Sequence, residues 1–345
     1  MAPPSSPSLA RAQLYRTTTL AILSFLLLAL VHLLVVFPND VDLKLQEEAF
    51  ASSTSPLRRS SSTGATTPGG QLAAATQPQP VVDVRVFLGV LTVPGAYERR
   101  AHLRLAYSLQ PRPVRAVVDV RYVFCDLDKE EDRVLVAMEI VAHGDVLVVN
   151  CTETMDAEKT YAYFSAVARM FAGDEPSYDF VGKTDDDTHY RLAALADALR
   201  DKPRDGTYHG FLNPCHASLE WQYMSGMGYV VSWDMAEWIA AADEAIRNDQ
   251  GWEDEVFGRW VRKAGKLKNV YGEEPRMYDY WDREMTVNAE VTCFRHQHVA
   301  DTVAVHKLKD RLKWARTLYF FNATQGLKPS KMYDVDRLNS NMYRV

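Results

Sequence analysis

Residues 178–187 read Tyr178-Asp179-Phe180-Val181-Gly182-Lys183-Thr184-Asp185-Asp186-Asp187. A short apolar run that leads straight into three carboxylates reads as a buried strand opening onto a site. Adjacent acids repel one another and lose solvation beside a core, so a divalent cation is the natural compensation. Hard oxygen donors with a few waters suit Mg²⁺ or Mn²⁺, ions that usually also bind substrate phosphates. A solvated turn that merely ends a strand has the same composition, so the surroundings must decide.

Outward from this stretch, residues 81–90 (VVDVRVFLGV), 114–125 and 145–149 also read as strands. Residues 97–107, 160–171 and 192–200 read as helices; in the second, Tyr161, Phe164, Val167, Ala168 and Phe171 share one face. Strands alternating with helices predict an α/β fold with a mainly parallel, doubly wound sheet. Ligands of such sheets bind beyond the carboxyl ends of the strands, where the acidic triplet falls. Neither a P-loop nor a G-x-G-x-x-G segment is present, which disfavours P-loop nucleotidases and Rossmann dehydrogenases. A nucleotide diphosphate would then be held by a metal and by basic side chains.

Composition narrows the class further. The chain has 345 residues, 47% hydrophobic and 24% charged, the balance of a globular protein. A formal charge of −6 argues against sequence-independent nucleic-acid binding. The four Cys contain no Cys-x-x-Cys pair, which argues against zinc ribbons and thioredoxin-like chemistry.

Residues 20–37 carry no formal charge; 18 residues of helix span about 27 Å, near the thickness of a thin bilayer core. Arg11 and Arg16 precede this stretch, and Asp40, Asp42, Glu47 and Glu48 follow it. The positive-inside rule predicts a single-pass type II anchor. The expected organisation is a cytosolic tail (1–19), a transmembrane signal anchor (20–37), a flexible stem (38–80) and a lumenal domain (81–345). Residues 51–80 hold six Ser, five Thr and four Pro but no aromatic residue, so they cannot bury enough apolar surface to order themselves. A short span suits an early secretory membrane, and a Golgi location is expected. In that oxidising space Cys125, Cys151, Cys215 and Cys293 can form two disulfides, with three connectivities open. Asn150-Cys151-Thr152 and Asn322-Ala323-Thr324 are N-glycosylation sequons.

The order of motifs resembles the β-1,3-galactosyltransferase family (glycosyltransferase family 31), which also holds β-1,3-N-acetylglucosaminyltransferases and Fringe-like enzymes. The resemblance rests on Glu98-Arg99-Arg100 with Arg104 and Tyr107, on Lys159-Thr160, and on Lys183-Thr184-Asp185-Asp186-Asp187. It continues through Gly226-Met227-Gly228-Tyr229, Glu253-Asp254 with Gly258, and His306, covering roughly residues 84–310. Tyr107 stands where the family shows Trp, and Glu255 where it shows Val.

The resemblance implies a GT-A-like fold and an inverting transferase. Such an enzyme moves a hexose, galactose or N-acetylglucosamine, from a UDP-sugar to a glycan acceptor in β-1,3 linkage. It implies Asp187 and His306 as ligands of Mn²⁺ or another divalent cation. Asp185, Asp186, Lys183, Arg99 and Arg104 are the expected nucleotide contacts. Asp254 is the expected general base, with Glu255 as the alternative. Trp221, Tyr223, Tyr229, Trp233 and Trp252 are candidates to shape the sugar site, because sugar C–H faces stack on rings. Two other functions stay open on the residues alone: a non-catalytic sugar-binding or scaffolding protein of the same fold, and a lumenal metal-dependent phosphohydrolase.

Overall fold

The first strand explains the centre of the molecule. In β1 (Val84–Leu91) only Arg85 is exposed, so both faces of the strand are covered. A strand buried on both faces belongs in the middle of a sheet with helices on either side. β1 pairs in parallel with β2 (Ala116–Phe124) and with β4 (Phe180–Asp185). β2 in turn pairs in parallel with β3 (Val146–Val148).

Beyond β4 the direction changes. β7 (Tyr223–Ser232) runs antiparallel to β4 and to β6 (Thr207–Asn213), and β6 pairs in parallel with β8 (Asn269–Gly272). The seven-stranded order is β3-β2-β1-β4-β7-β6-β8. The sheet is therefore mixed: its first four strands have the expected parallel, alternating pattern, and the reversal at β7 was not legible.

Side chains of β1 alternate between two cores, as the pleat requires. Phe87 packs with α3 (Ala157–Met170), α5 (Trp233–Ala241) and α6 (Glu253–Lys263), through Tyr163, Phe164, Met235, Ile239, Phe257 and Trp260. Val86 and Leu88 face α4 (Leu192–Arg200), which buries Leu192, Leu195, Ala196 and Leu199 at i, i+3, i+4 and i+7. Truncating Leu195 to Ala would cost about 2–5 kcal/mol. A third cluster joins α1 (Tyr97–Ser108), α2 (Glu130–His143) and α7 (Arg311–Phe320) through Leu103, Ala106, Val136 and Trp314.

A second, four-stranded sheet has the order β10-β9-β11-β5: β5 (His189–Tyr190), β9 (Met277–Tyr280), β10 (Arg295–His296) and β11 (Ala304–His306). β5 starts two residues after the acidic triplet, and its pairing with β11 brings the late histidine beside that triplet. Two disulfides, Cys125–Cys151 and Cys215–Cys293, settle the connectivity that spacing left open.

This computed structural model describes residues 81–323 and 325, apart from 154–156, 174–175, 219–221, 243–248, 250 and 282–291. They belong to one compact unit, Ala75–Val345. The expected tail, anchor and stem lie outside the described residues. Among the described residues, no helix is long and apolar enough to cross a membrane.

Candidate active site

The acidic triplet begins as the last residue of a strand and continues as a turn. β4 ends at Asp185, level with Leu91 of β1, and the Thr188 N–H donates back to the Asp185 carbonyl at 3.2 Å. The turn sends the three carboxylates in different directions. Asp186 points back into the protein, where it accepts from Thr92 Oγ1 and Arg99 Nη1, both at 2.8 Å. Burial pushes its pKa up, against the pull of those two donors. Asp187 is buried, and its Oδ2 accepts no hydrogen bond. The cation near that oxygen is Lys309, whose Nζ lies 3.9 Å away.

His306 closes the cluster. Its Nε2 lies 3.1 Å from Asp187 Oδ1 and 3.9 Å from Asp185 Oδ2. One donor atom from each of Asp185, Asp187 and His306 falls within a 4.8 Å group. Burial lowers the imidazole pKa, but the hydrogen bonds to Asp187 and Asp279 outweigh it and raise the value to about 9. A proton between these acceptors does the electrostatic work a metal ion would do. The orphaned, buried Asp187 oxygen and the imidazole–carboxylate donor set fit Mn²⁺. Asp185, expected as a nucleotide contact, stands within this group as a third donor.

The segment 253–255 opens α6, and its three acids have three different surroundings. Glu253 accepts from Thr160 Oγ1 at 2.8 Å, from Tyr229 Oη at 2.5 Å and from Lys183 Nζ at 2.9 Å. Glu255 pairs with Arg259 at 2.7 Å along the helix surface. Asp254 accepts from the Gly226 and Glu255 N–H groups, each at 2.9 Å, and lines a cavity. Burial pushes its pKa up, and the neighbouring Glu253 charge adds to that.

Lys183 ties these parts together. Its buried ammonium contacts Asp185 Oδ1 at 2.8 Å, Glu253 and the Gly226 carbonyl. Burial lowers its pKa, yet Asp185 and Glu253 raise it on balance. A lysine so saturated orders the site from beneath. Gly226 is the meeting point: a Cβ there would lie 3.5 Å from Asp254 Oδ2, 3.6 Å from Lys183 Nζ and 3.8 Å from Asp185 Oδ2. A Cβ there would make ordinary van der Waals contact with all three groups, so the position is tight but not closed.

Two cavities flank the cluster. The first, of about 270 Å³, is lined by Asp185, Asp254, Asp279 and His306 together with Asn213 and Phe294. The second, of about 400 Å³, lies between the start of α1 and residues 308–314 and presents Arg99, Lys309, Arg311 and Trp314. Lys309 of the second cavity lies beside Asp187 Oδ2.

Other expected contacts lie elsewhere. Arg104 is engaged by Asp145 at 2.9 Å and Glu139 at 2.6 Å and lies over the Tyr122 ring. It is not brought to the Asp185–Asp187–His306 group. Lys159 bonds the Thr92 carbonyl and Glu153, which also accepts from the Cys125 N–H. Tyr229 and Trp233 are core residues, Tyr223 bonds Asn213, and Trp252 is exposed on the surface. Trp221 lies outside the described residues. The rings at the first cavity are instead Phe211 and Phe294, which nothing in their local sequence marked.

No protein-family model matches the chain. The β-1,3-galactosyltransferase pvg3 of Schizosaccharomyces pombe is 24% identical over 278 residues, covering 65% of this chain and 71% of that protein. The UDP-GalNAc:β-1,3-N-acetylgalactosaminyltransferase 2 of Mus musculus is 26% identical over 186 residues, 48% of this chain and 34% of that protein. The hydroxyproline O-galactosyltransferase GALT2 of Arabidopsis thaliana is 22% identical over 204 residues, 54% and 29%. The chain thus spans about a third of the last two. Among solved structures, the galactosyltransferase LgtC with donor and acceptor sugar analogs overlaps 71% of this chain and 98% of its own, at 11% identity and a TM-score of 0.40. Mouse xyloside xylosyltransferase 1 overlaps 65% and 97%, at 9% identity and a TM-score of 0.38. Overlaps this loose carry no functional weight. By sequence, the chain resembles glycosyltransferases of the β-1,3-galactosyl and β-1,3-N-acetylgalactosaminyl kind.

Proposed function

We propose that the chain is a metal-dependent, inverting β-1,3-glycosyltransferase of GT-A type that uses a galacto-configured UDP-sugar, UDP-galactose or UDP-N-acetylgalactosamine. The observation that carries this reading is the first cavity, which Asp185, His306 and Asp254 line together. Inverting transfer needs such a pairing: a seat for the leaving diphosphate, and one base on the attacking hydroxyl. The three relatives share a galacto-configured sugar in their names, which narrows the donor.

A divalent cation held by Asp185, Asp187 and His306 would offset the charge of the departing UDP. The second cavity, with Arg99, Lys309 and Arg311, would take the nucleotide. Lys183 keeps Asp185 and Glu253 in place. Asp254 takes the proton from the acceptor hydroxyl as its oxygen bonds to the anomeric carbon and the bond to UDP breaks. Two backbone N–H donors fix the Asp254 carboxylate, and its raised pKa strengthens it as a base. Gly226 leaves room for sugar against this floor.

We place the enzyme in the Golgi membrane as a single-pass type II protein with its folded unit in the lumen. The charge flanks of residues 20–37 and the two disulfides support this placement. The test is a donor panel on the purified full chain with Mn²⁺ and mixed glycan acceptors, followed by linkage analysis of the product. Transfer of galactose or N-acetylgalactosamine in β-1,3 linkage, abolished by chelator, is expected. Cleavage of the UDP-sugar by water, without transfer to an acceptor, would replace this reading with hydrolysis.

A further inference from the structure

We infer that Asp279 is a positioning residue of the metal site: it fixes the tautomer and ring orientation of His306 so that Nε2 faces Asp185 and Asp187. The inference rests on the proposed metal role of that cluster. Asp279 and His306 are direct register partners across β9 and β11, with Asp279 Oδ1 2.6 Å from His306 Nδ1. Both residues are buried, and both line the first cavity.

The chemistry of the contact sets its direction. A carboxylate in this contact accepts, so the histidine must present Nδ1–H to it. In the neutral ring the lone pair is then on Nε2, the atom 3.1 Å from Asp187 Oδ1. Without Asp279 the ring is free to exchange its two nitrogens by a half-turn about its stem, and either tautomer is open to it. Carboxylate partners of this kind also make the imidazole a stronger donor to a metal. The strand position is held independently, since the Asp279 N–H donates to the Phe294 carbonyl at 2.7 Å. The segment Met277-Tyr278-Asp279-Tyr280 gives no local sign of this role, because the partner lies 27 residues away.

The experiment uses the full chain, UDP and Mn²⁺ as probes. Mn²⁺ affinity in the presence of UDP is measured by calorimetry, and the His306 ring nitrogens are followed by ¹⁵N NMR in metal-free protein at a pH above the ring's raised value of about 9, where the ring is neutral. Asp279→Ala should weaken Mn²⁺ binding about 10–100-fold and replace the single Nδ1–H state by a mixture. Asp279→Asn can present either its oxygen or its N–H to Nδ1, so it no longer imposes one tautomer and should also show a mixture and weakened Mn²⁺ binding. Should Asp279→Ala show no cooperative thermal melt, Asp279→Glu, which displaces the carboxylate by one methylene, carries the same expectation of weakened binding. Wild-type Mn²⁺ affinity in a folded Asp279→Ala or Asp279→Glu protein would overturn the inference. So would an Asp279→Asn protein that binds Mn²⁺ as wild type does while its ring populates both tautomers. His306→Ala and Asp187→Ala are measured in parallel; if both bind Mn²⁺ as wild type does, the metal reading itself falls, a result distinct from failure of Asp279 alone.

Discussion

Two charged clusters behave in opposite ways. In the first, Arg100 is 1% exposed and donates to both oxygens of Glu139, to Thr92 Oγ1 and to the Val93 and Pro94 carbonyls. Arg104 completes it by binding Glu139 and, with two nitrogens, Asp145. Donors and acceptors match, so this cluster clamps α1, α2 and the loop after β1. In the second, Asp185, Asp187 and His306 gather their ligating atoms beside a cavity, and one buried oxygen has no hydrogen bond at all. A saturated buried cluster organises the fold; an unsaturated one facing a cavity awaits a ligand. The two look alike in sequence, as Arg-rich and Asp-rich segments in the same domain.

The contrast can be broken most sharply at Asp187. Asp187→Ala should abolish Mn²⁺-supported UDP binding, read by calorimetry, while the thermal melt stays near wild type. Retained binding in this variant, with wild-type binding lost to chelator, would move the metal elsewhere. Next comes the base. Asp254→Asn should lower turnover about 10²–10⁴-fold with UDP-sugar affinity kept. Because burial raises the Asp254 pKa, the acid limb of the wild-type rate profile should lie above the ordinary aspartate range.

In the saturated cluster the effect should fall on stability instead. Glu139→Ala leaves the buried Arg100 without its carboxylate and should cost about 3–5 kcal/mol in denaturant melts. Donor binding by the folded fraction should stay unchanged; a selective loss of UDP affinity would give this cluster a direct role. Its pH dependence has a definite sign. Burial pushes the Glu139 carboxyl up, but hydrogen bonds from Arg100 and Arg104 hold it below its ordinary value. Its stabilisation is complete above the unfolded pKa and is lost as pH falls through the lower folded one. Wild-type stability should therefore fall on acidification below about pH 4.5, and Glu139→Gln should flatten that fall. The smallest effect is expected at Glu255, whose surface pair with Arg259 is worth at most about 1 kcal/mol. Glu255→Gln should change turnover less than about threefold, against the 10²–10⁴-fold for Asp254; the reverse order would shift the base by one residue.

Much of the frame was legible because it is local. The apolar runs at β1, β2 and β4 and the 3.6-residue stripe of α4 are properties of consecutive residues, and the helix over 192–200 has the bounds its pattern predicts. The acidic triplet announced a site because three adjacent carboxylates at a strand end are costly anywhere. The order of motifs from Arg99 to His306 sufficed for the resemblance to glycosyltransferases that the relatives bear out. The sequence also carries the charge flanks of residues 20–37 by itself.

Which member of each charged motif faces the site was decided by tertiary contacts. Asp186 turns inward because Thr92 and Arg99, some 90 residues earlier, wait for it. Arg104 is consumed by Glu139 and Asp145 of a helix and its following loop, which no local pattern connects to α1. Glu253, Asp254 and Glu255 sit one residue apart, yet the helix rotates them toward Lys183, toward the cavity and toward Arg259. Asp279 gained a role only when β9 and β11 came into register. Elements follow from short-range pattern, but a donor's free valence depends on every partner that long-range folding brings to it.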